Sequence, residues 1–298
     1  MKNRKRNKML ALCVCFALLL CTTNVKNVAL FAKEKSYGLE NPRNERSTHE
    51  TNYIWDCIYF GNYYKDGTSR DRIKWRVLSV KGDDAFLITD KVIDCQVYDN
   101  DDKNVKWEEC SLRKWLNDTF YKEAFNKDER KAIKSTKIVD ADEKTTDKIY
   151  LLSEAEAINT GYNFLGVGSY ETRSREARAT QYARVKGVEI DLRDTYSRET
   201  CCWWLRTSEK YDNCIKYVDR KGSISNKKTN ESGMGVRPVL HINLSSSSWV
   251  KAGVENSNYG LNNPYFNSND LSVWDCIYFG NYYQSNSKKK EPIKCRVF

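Results

Sequence analysis

The chain has 298 residues, 40% hydrophobic and 12% aromatic, with 50 Lys and Arg against 40 Asp and Glu. The formal charge of +10 is concentrated at the start: residues 1–32 carry six bases and no acid, which leaves 44 bases against 40 acids, a net of +4. An excess that small gives no footing for nucleic acid as a partner, while eight Trp and nineteen Tyr point to a β-rich core.

Lys2 to Lys8 form a basic stretch, followed by an apolar run from Met9 to Cys21 and small residues near Ala29 and Ala32. That order reads as an export signal over residues 1–32, cleaved near Ala29 or Ala32. The run is too short to span a bilayer comfortably, and an uncleaved N-terminal anchor is the alternative. No second apolar segment follows, so the mature chain has no membrane span and is expected to be secreted or at the cell surface.

Residues 33–54 are polar and aperiodic and read as a linker. Cys57 to Phe60 reads as a strand ended by Gly61-Asn62. Arg72 to Val80 and Ala85 to Ile93 form a hairpin around Lys81-Gly82-Asp83-Asp84. Ser111 stands before Leu112, Trp115, Leu116 and Phe120 at helical spacing, as an N-cap. Asn126 with Glu129, and Ser153 with Glu156, are capping-box spacings that open two further helices. Ile149 to Leu152 reads as a short strand between them. Thr160 to Ser174 is a Gly- and Tyr-rich loop, and Arg178 to Lys186 reads as helix. Cys202 to Leu205 is a strand. Lys216 to Ser225 is a hairpin turned at Arg220-Lys221-Gly222. Val236 to Leu244 is the final strand, with Pro238 marking an edge or bulge. Strands and helices alternate without a βαβ rhythm, which argues an α+β fold.

Ten residues occur twice: Trp55 to Tyr64 and Trp274 to Tyr283 both read W-D-C-I-Y-F-G-N-Y-Y. Tyr37 to Pro42 returns at Tyr259 to Pro264, and Ile73 to Leu78 returns at Ile293 to Phe298. The organisation is therefore a complete module over 55–245, a Ser- and Asn-rich linker over 246–265, and the first strands of a second copy over 266–298. The second copy lacks most of the core, so it is expected to be disordered or to add to a sheet edge of the module.

Three segments carry a resemblance: Ile73-Lys-Trp-Arg-Val-Leu with Trp107 to Asn117, Ile149-Tyr-Leu-Leu-Ser-Glu-Ala-Glu-Ala, and Trp203-Trp-Leu-Arg-Thr-Ser with Gly235-Val-Arg-Pro-Val-Leu. Together, over about residues 55–245, they resemble a family of exported bacterial modules catalogued as a domain of unknown function, number six-two-seven-three. A more distant similarity is to C-type-lectin-like folds of the formylglycine-generating-enzyme kind. It implies a compact domain of short antiparallel sheets, a few short helices and long loops that carry any ligand site.

Arg206 and Arg237 sit in strands among large apolar neighbours, where an unpaired guanidinium is costly, so each is expected to have an acceptor. Glu154 and Glu156 are the nearest candidates by motif, with Asp94 next, and Arg206, Arg237, Glu154 and Glu156 read as a structural ion-pair network. Tyr162, Tyr170, Tyr211 and one of Trp203 and Trp204, taken as Trp204, are the candidate ligand platforms.

Catalytic parts are missing from the pattern. There is no G-x-S-x-G, phosphate loop or H-E-x-x-H, and only His49 and His241 occur. Without a C-x-x-C pair, no metal site or cofactor is expected. Cys57, Cys95, Cys110, Cys201, Cys202 and Cys214 could be free or paired in an exported chain. The expected function is non-catalytic binding of an extracellular glycan or a surface protein. A formylglycine-generating-like enzyme and a structural repeat spacer are the alternatives.

Overall fold

The computed structural model describes residues 37–46, 51–101, 104–140, 143–165, 173–190, 199–209, 213–256, 265–266, 272–273, 276–286 and 289–296. The export-signal reading and the candidate residues Tyr170 and Tyr211 lie outside them. The chain opens with β1 (Arg43–Arg46), β2 (Thr51–Tyr64), β3 (Arg70–Lys81), β4 (Asp84–Thr89) and β5 (Asp94–Cys95). Helices α1 (Ser111–Trp115), α2 (Tyr121–Ala124) and α3 (Lys127–Ala132) follow, the first two joined by a π-helical turn at Leu116–Phe120. Next come β6 (Thr136–Asp140), β7 (Glu143–Asp147), α4 (Glu154–Ala157) and α5 (Gln181–Val185). The remaining strands are β8 (Trp203–Ser208), β9 (Cys214–Val218), β10 (Ile224–Lys228), β11 (Gly235–Val236), β12 (Val239–Asn243), β13 (Val250–Asn256), β14 (Tyr265–Phe266), β15 (Ser272–Val273), β16 (Cys276–Asn286) and β17 (Lys289–Arg296).

This is a mixed α+β fold of mostly antiparallel strands with short helices. One sheet runs β1-β2-β3-β4-β12, with β13 also on β2, and a second runs β10-β9-β8-β11-β5. The named strands pair antiparallel except β11 with β8. The chain crosses between the sheets at Arg237-Pro238. Pro238 has no N–H to give a ladder, so the strand read as one piece over Val236 to Leu244 breaks into β11 in one sheet and β12 in the other.

The capping readings hold in geometry. Asn126 with Glu129, and Ser153 with Glu156, both form reciprocal capping boxes. The first helix differs: Cys110, not Ser111, is the N-cap, and its sulfur accepts from the Arg113 N–H.

Two segments read as linkers carry strands. Residues 33–54 contain β1 and the start of β2, and residues 246–265 contain β13, which pairs with β2 from Val250↔Tyr59 to Asn256↔Ile54. β2 also does not stop at Gly61. The register shifts between Tyr59 and Asn62, Gly61 takes φ of 74°, and the strand continues to Tyr64.

The second copy forms two small sheets among the described residues. β16 and β17 pair only with each other among the described residues, as a two-stranded sheet, and β14 pairs with β15.

The core is aromatic. Trp75 is fully buried against Phe125, and its Nε1 donates to the Phe60 carbonyl at 2.7 Å. Both Trp203 and Trp204 are 0% exposed. Strand alternation sends them to opposite faces, but β8 is the middle strand of its sheet and both faces are covered.

Candidate functional site

The bulge at Gly61 re-aims the end of β2, and a cleft of about 380 Å³ opens there. Its walls come from four stretches: Tyr59, Tyr63, Tyr64 and Lys65 at the end of β2, Asp71 to Lys74 on β3, Asp90, Lys91 and Ile93 after β4, and Thr180-Gln181 at the start of α5. Three of the wall tyrosines belong to the duplicated ten-residue string.

Tyr63 and Tyr64 are held from behind. Tyr63 is buried, its hydroxyl donates to Asp94 Oδ2 at 2.6 Å, and its ring meets Phe120 edge-on at 5.0 Å. Burial pushes the Tyr63 hydroxyl up and also holds the Asp94 carboxyl above its ordinary range. Tyr64 lies against Tyr182 at 4.9 Å, and Arg70 stacks over its ring at 4.6 Å. Tyr59 is half-buried, and burial raises its hydroxyl.

The charges form a graded set. At the floor, Asp90 accepts from Arg76 Nε at 2.7 Å, and Arg76 lies over the Trp55 ring at 4.8 Å. Burial works to raise the Asp90 carboxyl, but Arg76 and Lys74 carry it below the ordinary range. Lys74 is 4.0 Å from Asp90 and 2.6 Å from Glu255, which reaches across from β13. Burial works to lower the Lys74 ammonium, and the carboxylates of Asp90 and Glu255 hold it above its usual value. At the rim Lys65 pairs with Asp71 at 3.9 Å, while Arg72 and Lys91 are exposed cations. Asp90 is thus committed to cations, and the cleft faces solvent with aromatic rings, two exposed cations and the exposed Lys65–Asp71 pair.

The arginines read from the sequence are placed elsewhere. Arg206 is 5% exposed, pairs with Glu156 and Asp140, and donates to the Leu151 carbonyl at 2.7 Å. Asp140 was not foreseen; it arrives on β6, a strand the sequence reading passed over. Glu154 is not in that cluster: its carboxylate is 3.8 Å from Lys216. Arg237 is fully buried. It donates to the carbonyls of Thr89, Arg175 and Asp90 and stacks over Trp203 at 5.0 Å. Asp94 accepts from Tyr63, not from an arginine.

Of the candidate ligand platforms, Trp204 is excluded by burial. Its Nε1 donates to the Gln96 carbonyl at 3.0 Å and its ring packs on Tyr98. Tyr162 is half-buried, edge-on to Phe86 at 5.4 Å, and burial raises its hydroxyl. None of the cleft residues was singled out from sequence as a site. Tyr59, Tyr63 and Tyr64 lie in the duplicated string, which marks the repeat and not a site.

His241 lies outside the cleft. Its Nδ1 is 2.8 Å from Asp84, its ring stacks on Phe86 at 4.6 Å, and Lys134 reaches Asp84 at 3.1 Å. The described residues include no cluster of His, Cys, Asp and Glu suited to a metal ion. Among them no helix is long and apolar enough to cross a membrane.

The architecture and cleft define a mixed α+β module with a tyrosine-walled, cation-rimmed recess. The chain belongs to the family described as a domain of unknown function, DUF6273, whose profile matches residues 82–244. That stretch begins in the β3–β4 turn, so the β2–β3 wall of the cleft stands before it and the Asp90 and Thr180 walls fall within it. No curated protein and no solved structure matches the chain.

Proposed function

We propose that the module is an exported, non-catalytic ligand-binding domain of C-type-lectin-like build, and that the tyrosine cleft is where it takes a glycan. The carrying observation is the cleft's composition: half-buried Tyr59 and Tyr64 beside exposed Arg72 and Lys91. Aromatic faces stack on the apolar faces of sugar rings, and the rim cations read their polar or acidic groups. The short antiparallel sheets and short helices support the lectin-like build, and the N-terminal sequence pattern supports export.

The formylglycine-generating alternative requires a ready thiolate. Burial pushes the thiols of Cys57 and Cys201 well up, Cys110 to about 12 and Cys95 to about 11, which leaves these sulfurs protonated and poorly nucleophilic.

Titration calorimetry against soluble neutral and acidic polysaccharides tests the reading. Tyr59→Ala is expected to weaken binding about three- to tenfold through lost stacking, with the fold retained by circular dichroism. Absence of binding across the panel, or binding indifferent to Tyr59 and Arg72, defeats it.

A further inference from the structure

The duplication extends from sequence into pairing. Tyr265↔Val273 and Phe266↔Ser272 repeat Arg43↔Ile54 and Asn44↔Tyr53. Cys276↔Arg296, Tyr278↔Lys294 and Tyr282↔Glu291 repeat Cys57↔Arg76, Tyr59↔Lys74 and Tyr63↔Asp71. Even the bulge returns, between Tyr278 and Asn281 for Tyr59 and Asn62.

One position is filled in the first copy and, among the described residues, not in the second. The outer edge of β2 carries β13, through Val250↔Tyr59, Lys251↔Ile58, Gly253↔Cys57 and on to Asn256↔Ile54. Among the described residues no strand pairs with the matching edge of β16, although β16 and β17 lie beside β13. Every residue that β13 meets on β2 has an identical counterpart, Trp274 to Tyr278, except Ile54, which becomes Val273. Lys74, the ion-pair partner of Glu255 on β13, has its counterpart in Lys294. An unpaired strand edge is a template for a strand of matching pattern.

We propose that β13 is a shared strand, which exchanges within one chain between the edge of β2 and the identical edge of β16. When β13 pairs with β16, Glu255 leaves Lys74, and the ammonium on the cleft wall keeps only the longer contact with Asp90 at 4.0 Å. The exchange stands on pairing alone; only its effect on binding rests on the cleft being the ligand site.

Hydrogen exchange with mass spectrometry on the full exported chain tests this without any ligand. A minor state populated on the order of 0.1–10% caps protection of the amides at 54–59. Ile277→Pro, or independently Tyr278→Pro, spoils the second edge without touching the module. Either variant is expected to raise protection at 54–59 about tenfold or more and to slow acylation of Lys74 by an amine reagent. Unchanged protection and unchanged Lys74 labelling in both variants overturn the proposal. Protection at 54–59 that changes with protein concentration overturns it as well, because exchange within one chain has no such dependence. A positive exchange result with no glycan binding leaves the shared strand standing and removes the cleft reading alone.

Discussion

Asp90 and Arg76 show what a single buried charge does in this fold. Arg76 is 1% exposed and its Nε is bound by Asp90 at 2.7 Å. Removing that carboxylate takes away the charged acceptor of Nε from a guanidinium held in the core over Trp55. Asp90→Asn is therefore expected to destabilise by about 3 kcal/mol in urea unfolding. The carboxylate also sets a pH response. Its folded pKa lies below its unfolded value, so its stabilisation is complete above the ordinary carboxylate range. It is lost as pH falls from about 4 towards about 2. Asp94, held up by burial, is relieved by the same acid and works in the opposite sense. Asp90→Asn is expected to flatten the fall in stability across that window, measured as melting temperature against pH. Arg206 is the companion case. Arg206→Met removes the partner of Glu156 and Asp140 and is expected to destabilise by about 3 kcal/mol without altering ligand affinity. A fully stable variant with lost binding would instead make Arg206 a ligand residue.

At the scale of elements, the bulge in β2 is the critical turn of chain. A Cβ on Gly61 would sit 2.6 Å from Phe125 Cε1 and 2.9 Å from the Ala124 carbonyl oxygen, at a φ that side chains avoid. Gly61→Ala is expected to destabilise by about 3 kcal/mol, read from the denaturation midpoint. It should also distort the cleft, because Tyr63 and Tyr64 follow the bulge directly. Much of this level was legible in the sequence. The capping boxes at Asn126 and Ser153, the Gly82 and Gly222 hairpins and the β8 strand all announce themselves within a few residues. What stayed hidden depends on distant segments. β13 follows a Ser-rich run and contains Gly253, so locally it resembles a linker, and only β2 makes it a strand. The cleft gathers residues from 59 to 181, and no window of sequence holds more than a part of it. Trp204 was misread because alternation alone places one tryptophan outward, while the sheet order puts β8 between neighbours with both faces packed.

The whole molecule needs both flanks that look dispensable. A chain cut to 55–245 loses β1 and β13 and bares the outer edge of β2, with buried Trp55 and Cys57 on that strand. It is expected to unfold at lower urea and to aggregate more readily than a chain of 37–257, as measured by unfolding midpoint and light scattering. Equal midpoints would show that β1 and β13 add nothing to the fold.

The two matching edges also set an order of events when the whole chain refolds. From Val250, the counterpart Tyr278 is 28 residues away and Tyr59 is 191. Closing the shorter span costs about 1.7 kcal/mol less chain entropy, from the logarithm of the two lengths. Local pairs also form sooner than distant ones. In refolding from the full unfolded chain, β13 therefore meets its near edge first, and reaching β2 requires undoing that pairing. The duplicated strand acts as a kinetic detour, and its removal should speed the last step of refolding.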